Sequence, residues 1–183
     1  LVVVNCAGRT RSIIGCQSLI NAGIPNPVVA LKDGTMGWYL AGFDLENGQF
    51  RPAPKVSKTG LQRSMEMAKA VSTKYGVRRI NFTELRSFQN QSNECSFFLL
   101  DVRSSEEFES GHLPGSKSAP GGQLVQATDE FVGVRNSRLV LIDDTGVRAI
   151  MTASWLIQMG WEEVYVLEDG LENTNLEIGK EQK

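Results

Sequence analysis

The chain has 183 residues, enough for one full domain and part or all of a second. Its 41% apolar and 22% charged residues are those of an ordinary globular protein, and a net charge of −2 gives no general attraction to nucleic acid or an anionic membrane. No apolar run approaches the roughly 20 residues that span a bilayer, and the single histidine, His112, excludes a multi-histidine metal site.

Taken in chain order, the pattern is strand, loop, helix, strand, twice over. An apolar run from Leu1 stops at Asn5, as in a parallel strand buried on both faces. Cys6, Ala7, Gly8, Arg9, Thr10 and Arg11 form a basic loop, and Ser12 to Asn21 has helical spacing that ends at Ala22-Gly23. Val28 to Leu31 is a second short strand, and Asp33-Gly34 turns the chain. Asn47 to Val56, with Pro52 and Pro54, reads as a linker. A helix follows to about Tyr75, with Thr59 and Gln62 at capping-box spacing. Ile80 to Leu100 brings a short strand, a helix near Thr83 to Phe88 and the strand Phe97 to Leu100. Arg138 to Ile142 is a strand, Asp143 to Arg148 a loop, Ala149 to Met159 a helix, and Glu163 to Leu167 the closing strand. The tail after Glu172 reads as polar and loose. Such alternation predicts an α/β fold with a largely parallel sheet.

The two blocks match each other. Laying Val2 to Gly23 on Leu139 to Gly160 with Gly8 on Gly146 and Arg11 on Arg148 puts Cys6 on Asp144 and makes the second loop one residue shorter. This internal duplication is a stronger signal than either motif alone. The first loop, Cys6 to Ser12, is then the candidate site, and the second, Asp144, Thr145, Gly146, Val147 and Arg148, a degenerate copy. At Asp144 a carboxylate stands where the first loop has its thiol, and its charge suits the loop's N–H groups.

Asp101-Val102-Arg103, Glu107-Phe108, Gly111-His112-Leu113 and Gly115-Ser116, together with the cysteine loop, resemble the rhodanese (sulfurtransferase) superfamily. Gly34-Thr35-Met36-Gly37-Trp38 is similar to that family's closing feature. The resemblance implies a three-layer fold around a mostly parallel sheet. It divides the chain into the C-terminal half of one domain (1–46), a linker and helix (47–76), a complete domain lacking the cysteine (77–172) and a tail (173–183). It also implies sulfur transfer from thiosulfate or a similar anionic donor, through a Cys6 persulfide, to a thiol or cyanide acceptor, without a cofactor.

The physical reading of Cys6 agrees with this. A loop that curls around one side chain and feeds a helix aims N–H groups at it, and cysteine pKa values at such places fall to roughly 3.5–7.5. Arg9 and Arg11 add attraction for an anionic donor. A structural thiol at a strand end is the other reading of Cys6. Phosphatase or arsenate chemistry on the same fold needs Cys-x5-Arg, whereas here Arg11 makes Cys-x4-Arg and Asn5 stands where a histidine would be. A non-catalytic binding or regulatory module fits the second block better than the first. His112 and the pair Asp101 and Arg103 read as structural hydrogen-bonding groups, and Cys16 as a packing residue. Three cysteines without metal or disulfide spacing point to a reducing compartment, most simply the cytoplasm. The first block lacks its own Asp-Val-Arg half, so the expectation is a truncated tandem protein. Its open strand would be completed by a missing N-terminal portion or a second copy, and any targeting segment would lie upstream.

Overall fold

A computed structural model describes residues 1–50, 54–171 and 175–180. The chain divides into two compact units, Leu1–Met67 and Ala68–Lys183. The first holds β1 (Val2–Val4), α1 (Thr10–Asn21), β2 (Val28–Ala30) and α2 (Gly34–Leu40), and α3 (Lys58–Tyr75) runs across the division. The second continues with β3 (Arg78–Ile80), α4 (Phe82–Asn90), β4 (Phe97–Asp101), α5 (Ser105–Ser110) and β5 (Lys117–Ser118). It closes with α6 (Gly121–Gln126), α7 (Thr128–Phe131), β6 (Arg138–Ile142), α8 (Val147–Gln158) and β7 (Val164–Leu167).

The second unit is built on a parallel sheet in the order β3-β7-β6-β4-β5. Along β6, Leu139 and Leu141 face a cluster with Ala68, Val71, Leu124 and Leu156 from α3, α6 and α8. Val140 and Ile142 face the opposite cluster with Leu85 of α4 and Leu99. All four β6 side chains are fully buried, each worth about 1.5–3 kcal/mol. This is why the segment reads as an unbroken apolar run rather than an alternating one. Helices on both faces give the expected three layers.

The first unit is built differently. β1 and β2 pair in parallel, with Val2 opposite Val28, and the other edge of β1 has no strand among the described residues. Only Ser12 and Gly34 are buried among the described residues of this unit, and Val3 is 53% exposed. The apolar run was expected to be buried on both faces; here one edge and much of its surface are open.

Several local expectations are corrected. Gly34–Leu40 is a helix, not merely a turn. The cap of α3 is Ser57, whose Oγ accepts the Gly60 N–H at 3.0 Å, not a Thr59–Gln62 box. In the 47–76 segment, expected as linker and helix, α3 places Ala68 and Val71 in the core of the second unit. Part of the tail is ordered by pairing: His112 and Glu177 exchange backbone hydrogen bonds of 2.9 Å each. Pro52 and the segments 172–174 and 181–183 lie outside the described residues.

Candidate active site

Cys6 lies at the carboxyl end of β1, where parallel strands deliver loops for binding and chemistry. The loop runs through Ala7, Gly8 and Arg9 into α1, so Thr10, Arg11 and Ser12 form the first turn of the helix. Ala7, Gly8, Arg9, Thr10 and Arg11 are exposed, Cys6 is half-buried and Ser12 is buried. The Cys6 thiol is held below the ordinary cysteine range, chiefly by the Ser12 hydroxyl. Partial burial opposes this, while the N–H groups of Ser12 and Gly8 and the charge of Arg11 reinforce it. The Ser12 hydroxyl donates its one proton to the Arg9 carbonyl at 2.8 Å, so it acts on the thiolate by turning from that carbonyl to the sulfur. The result is a half-buried thiol whose ionisation is favoured by the donors of Ser12 and Gly8 and by the charge of Arg11. That is the environment of a reactive thiol rather than an inert one.

The back of the loop is tied to α2. The Thr35 N–H donates to the Cys6 carbonyl at 2.9 Å, and the Met36 N–H to the Ala7 carbonyl at 3.0 Å. The Thr35 hydroxyl adds a 3.3 Å bond to the Cys6 carbonyl and accepts from Asn5 Nδ2 at 3.0 Å. Gly34, at φ 61°, lies so close that a Cβ there would collide with the Gly8 and Cys6 carbonyls. The sequence pattern flagged Gly34 to Trp38 as a closing feature but gave Thr35 and Asn5 no role.

The second loop corrects the alignment. Val2 pairs with Val28 and Leu139 with Val164, and both partners stand equally far before the left-handed residues Asp33 (φ 54°) and Asp169 (φ 51°). The helices α1 and α8 are both 12 residues long and start equally far after Val2 and Leu139. Cys6 therefore corresponds to Asp143, not Asp144, and the two loops are equally long. The glycine match misled because Gly146 adopts φ 76° to begin its helix, whereas Gly8 is outside the left-handed region.

Asp143 is a built-in anion. Its carboxylate accepts the Gly146 N–H at 2.6 Å and the Arg148 N–H at 2.8 Å, and it is 4% exposed. Burial pushes this carboxyl up, against the N–H groups of Arg148, Gly146 and Ala149. Asp144 is exposed and pairs with the Arg148 guanidinium at 2.9 Å. Arg148 also makes a two-pronged pair with Glu107 at 2.7 and 3.0 Å. That guanidinium holds the Glu107 carboxyl down at about 2. Thr145 turns its hydroxyl to the Val147 N–H at 3.4 Å. Loop and arginine are thus satisfied from within.

The remaining marked residues are structural, as their patterns suggested. Arg103 grips the fully buried Asp101 at 2.6 Å and the Gly111 carbonyl at 2.6 Å. His112 stacks on Phe108, with centroids 3.8 Å apart, and Nδ1 meets the Phe108 carbonyl at 2.9 Å. Cys16 is half-buried on α1. Among the described residues no three His, Cys, Asp or Glu side chains converge as metal ligands, and no helix is long and apolar enough to cross a membrane.

Comparison with known proteins adds the family. The rhodanese-like domain profile matches residues 84–177, the unit that carries Asp143. The crystal structure of thiosulfate sulfurtransferase from Pseudomonas aeruginosa superposes with a TM-score of 0.92 at 54% identity, covering 99% of this chain and 34% of that one. The rhodanese-like/PpiC domain-containing protein 12, chloroplastic, of Arabidopsis thaliana is 26% identical over 155 residues, 80% of this chain and 52% of that protein. Centrosomal protein of 41 kDa B of Xenopus laevis is 28% identical over 85 residues, 43% of this chain and 23% of that protein. This chain spans less than two thirds of each of these relatives. With the profile covering half of the sequence and the sheet, layers and loops arranged as described, the chain belongs to the rhodanese-like domain family.

Proposed function

We propose that this chain carries the sulfur-transferring cysteine of a thiosulfate sulfurtransferase-like enzyme. The observation that supports it most directly is the Cys6 thiol, accessible and lowered in pKa by the donors of its own loop. The Cys6 thiolate attacks the outer sulfur of thiosulfate, the sulfur–sulfur bond of the donor breaks, and sulfite leaves with the electron pair. The terminal sulfur of the resulting persulfide is an anion on the same N–H groups. A thiolate or cyanide then attacks that sulfur, the new bond forms as the persulfide bond breaks, and Cys6 returns as thiolate. No separate base is needed when the thiol is already ionised.

The Asp143 loop supports a non-catalytic role for the second unit, because its donors already hold a carboxylate. A reducing compartment such as the cytoplasm follows from the need to keep Cys6 free. The open edge of β1 is proposed to receive a further strand, of this protein or of a second copy, as β4 covers β6.

Intact-mass measurement after thiosulfate treatment tests the central claim. The chain should gain the mass of one sulfur atom, removable by cyanide and absent in Cys6→Ser. An adduct that persists in Cys6→Ser, or maps to Cys16 or Cys95, refutes it; turnover of an aryl phosphate in place of thiosulfate would favour the phosphatase reading.

A further inference from the structure

The two equivalent loops differ in more than their central residue. Asn5 and Thr35 hydrogen-bond to each other behind the Cys6 loop. At the same places behind the Asp143 loop stand Ile142 and Leu171, both in one apolar cluster. Within one chain, then, a polar pair accompanies the thiol and an apolar pair accompanies the carboxylate.

Peptide geometry says what the polar pair does. A trans peptide is planar, with its C=O and N–H on opposite sides. When the Cys6 carbonyl is held by the Thr35 N–H and hydroxyl, the Ala7 N–H of the same peptide faces away from α2. When the Ala7 carbonyl is held by the Met36 N–H, the Gly8 N–H likewise faces away from α2, and it is one of the donors that act on the sulfur. Gly34 lets α2 approach closely enough for both bonds, since any side chain there would push the loop off. Asn5 in turn orients the Thr35 hydroxyl, by donating to it and leaving its proton for the Cys6 carbonyl.

We infer that Thr35, oriented by Asn5, is a positioning residue for sulfur transfer: it anchors the carbonyl side of the Cys6 loop, turns the Ala7 N–H away from α2, and so steadies the loop whose Gly8 N–H, fixed by Met36, faces the sulfur. The inference rests on the proposed chemistry of Cys6 but makes a claim of its own about the loop.

The test uses the whole chain with Cys16→Ala and Cys95→Ala, so that Cys6 is its one thiol. The pH dependence of Cys6 alkylation by iodoacetamide is measured beside the rate of sulfur uptake from thiosulfate. In Thr35→Val the alkylation profile should move to higher pH. Sulfur uptake at mildly acid pH should fall by roughly three- to tenfold, the factor that one net hydrogen bond carries. At alkaline pH the deficit should shrink, and Thr35→Ser should restore both readings. Asn5→Leu, which breaks the bond from its other end, should shift the profile the same way and serves if Thr35→Val does not fold. An unshifted profile in a folded variant, or Thr35→Ser impaired as much as Thr35→Val, overturns the inference. If the parent chain takes up no sulfur, the proposed function fails, while the alkylation profiles still decide the role of Thr35.

Discussion

Asp143→Asn separates the two readings of the second loop, because only one aspartate can stand in the place of the cysteine. The carboxylate uses both oxygens, one on the Gly146 N–H at 2.6 Å and one on the Arg148 N–H at 2.8 Å. Asparagine keeps a single carbonyl oxygen, so its amide N–H2 must face one of these two donors. Burial disfavours the anion while the N–H groups favour it. Loss of the charge is therefore partly self-cancelling, and the orphaned donor sets the sign. A buried donor without an acceptor costs about 1–3 kcal/mol. Asp144→Asn removes only an exposed pairing with Arg148, one helical turn away, worth about 0.3–0.5 kcal/mol. Urea unfolding at neutral pH should thus show a clear loss for Asp143→Asn and almost none for Asp144→Asn. Equal stability of Asp143→Asn and the parent chain, or a larger loss for Asp144→Asn, would refute the assignment of Asp143 as the internal anion.

Other outcomes follow from the same geometry. Replacing Arg9 and Arg11 by alanine should raise the apparent KM for thiosulfate and flatten its salt dependence, since Coulomb attraction near a surface is worth about 1–4 kcal/mol at 4 Å; steady-state kinetics at two ionic strengths check this. Glu107 has a folded pKa of about 2 against an ordinary 4.5, so its contribution is complete above the ordinary value and is lost as pH falls toward the folded one. Because Glu107 is 42% exposed and Arg148 38% exposed, the pair contributes only about 0.2–1 kcal/mol, and the stability gap between the parent and Glu107→Gln should close in acid. A gap that is unchanged or wider in acid would count against the pair.

Much of the second unit was legible in the sequence because its signals are local. The strand Arg138–Ile142 declares itself by an apolar run that needs two covered faces, and the duplicated Asp-Gly turns mark both closing strands. The Cys6 loop was legible for the same reason: a thiol, two arginines and the start of a helix lie within seven residues. Three features were decided elsewhere. Which aspartate replaces the cysteine depends on strand pairing between residues some 25 positions apart, and a shared glycine can suggest the wrong register when its φ differs. The short helix α2 has two glycines in seven residues and little intrinsic propensity. Its first turn exists because the N–H groups of Thr35 and Met36 find acceptors on the Cys6 loop. Asn5 and Thr35 look like ordinary polar residues until folding places them behind the sulfur. Sequence alone thus determined where the candidate thiol loop lies, through residue types and spacing. The tertiary structure decided how the loop is aimed, because backbone N–H direction is set by hydrogen bonds between the Cys6 loop and α2, segments that follow the paired strands β1 and β2.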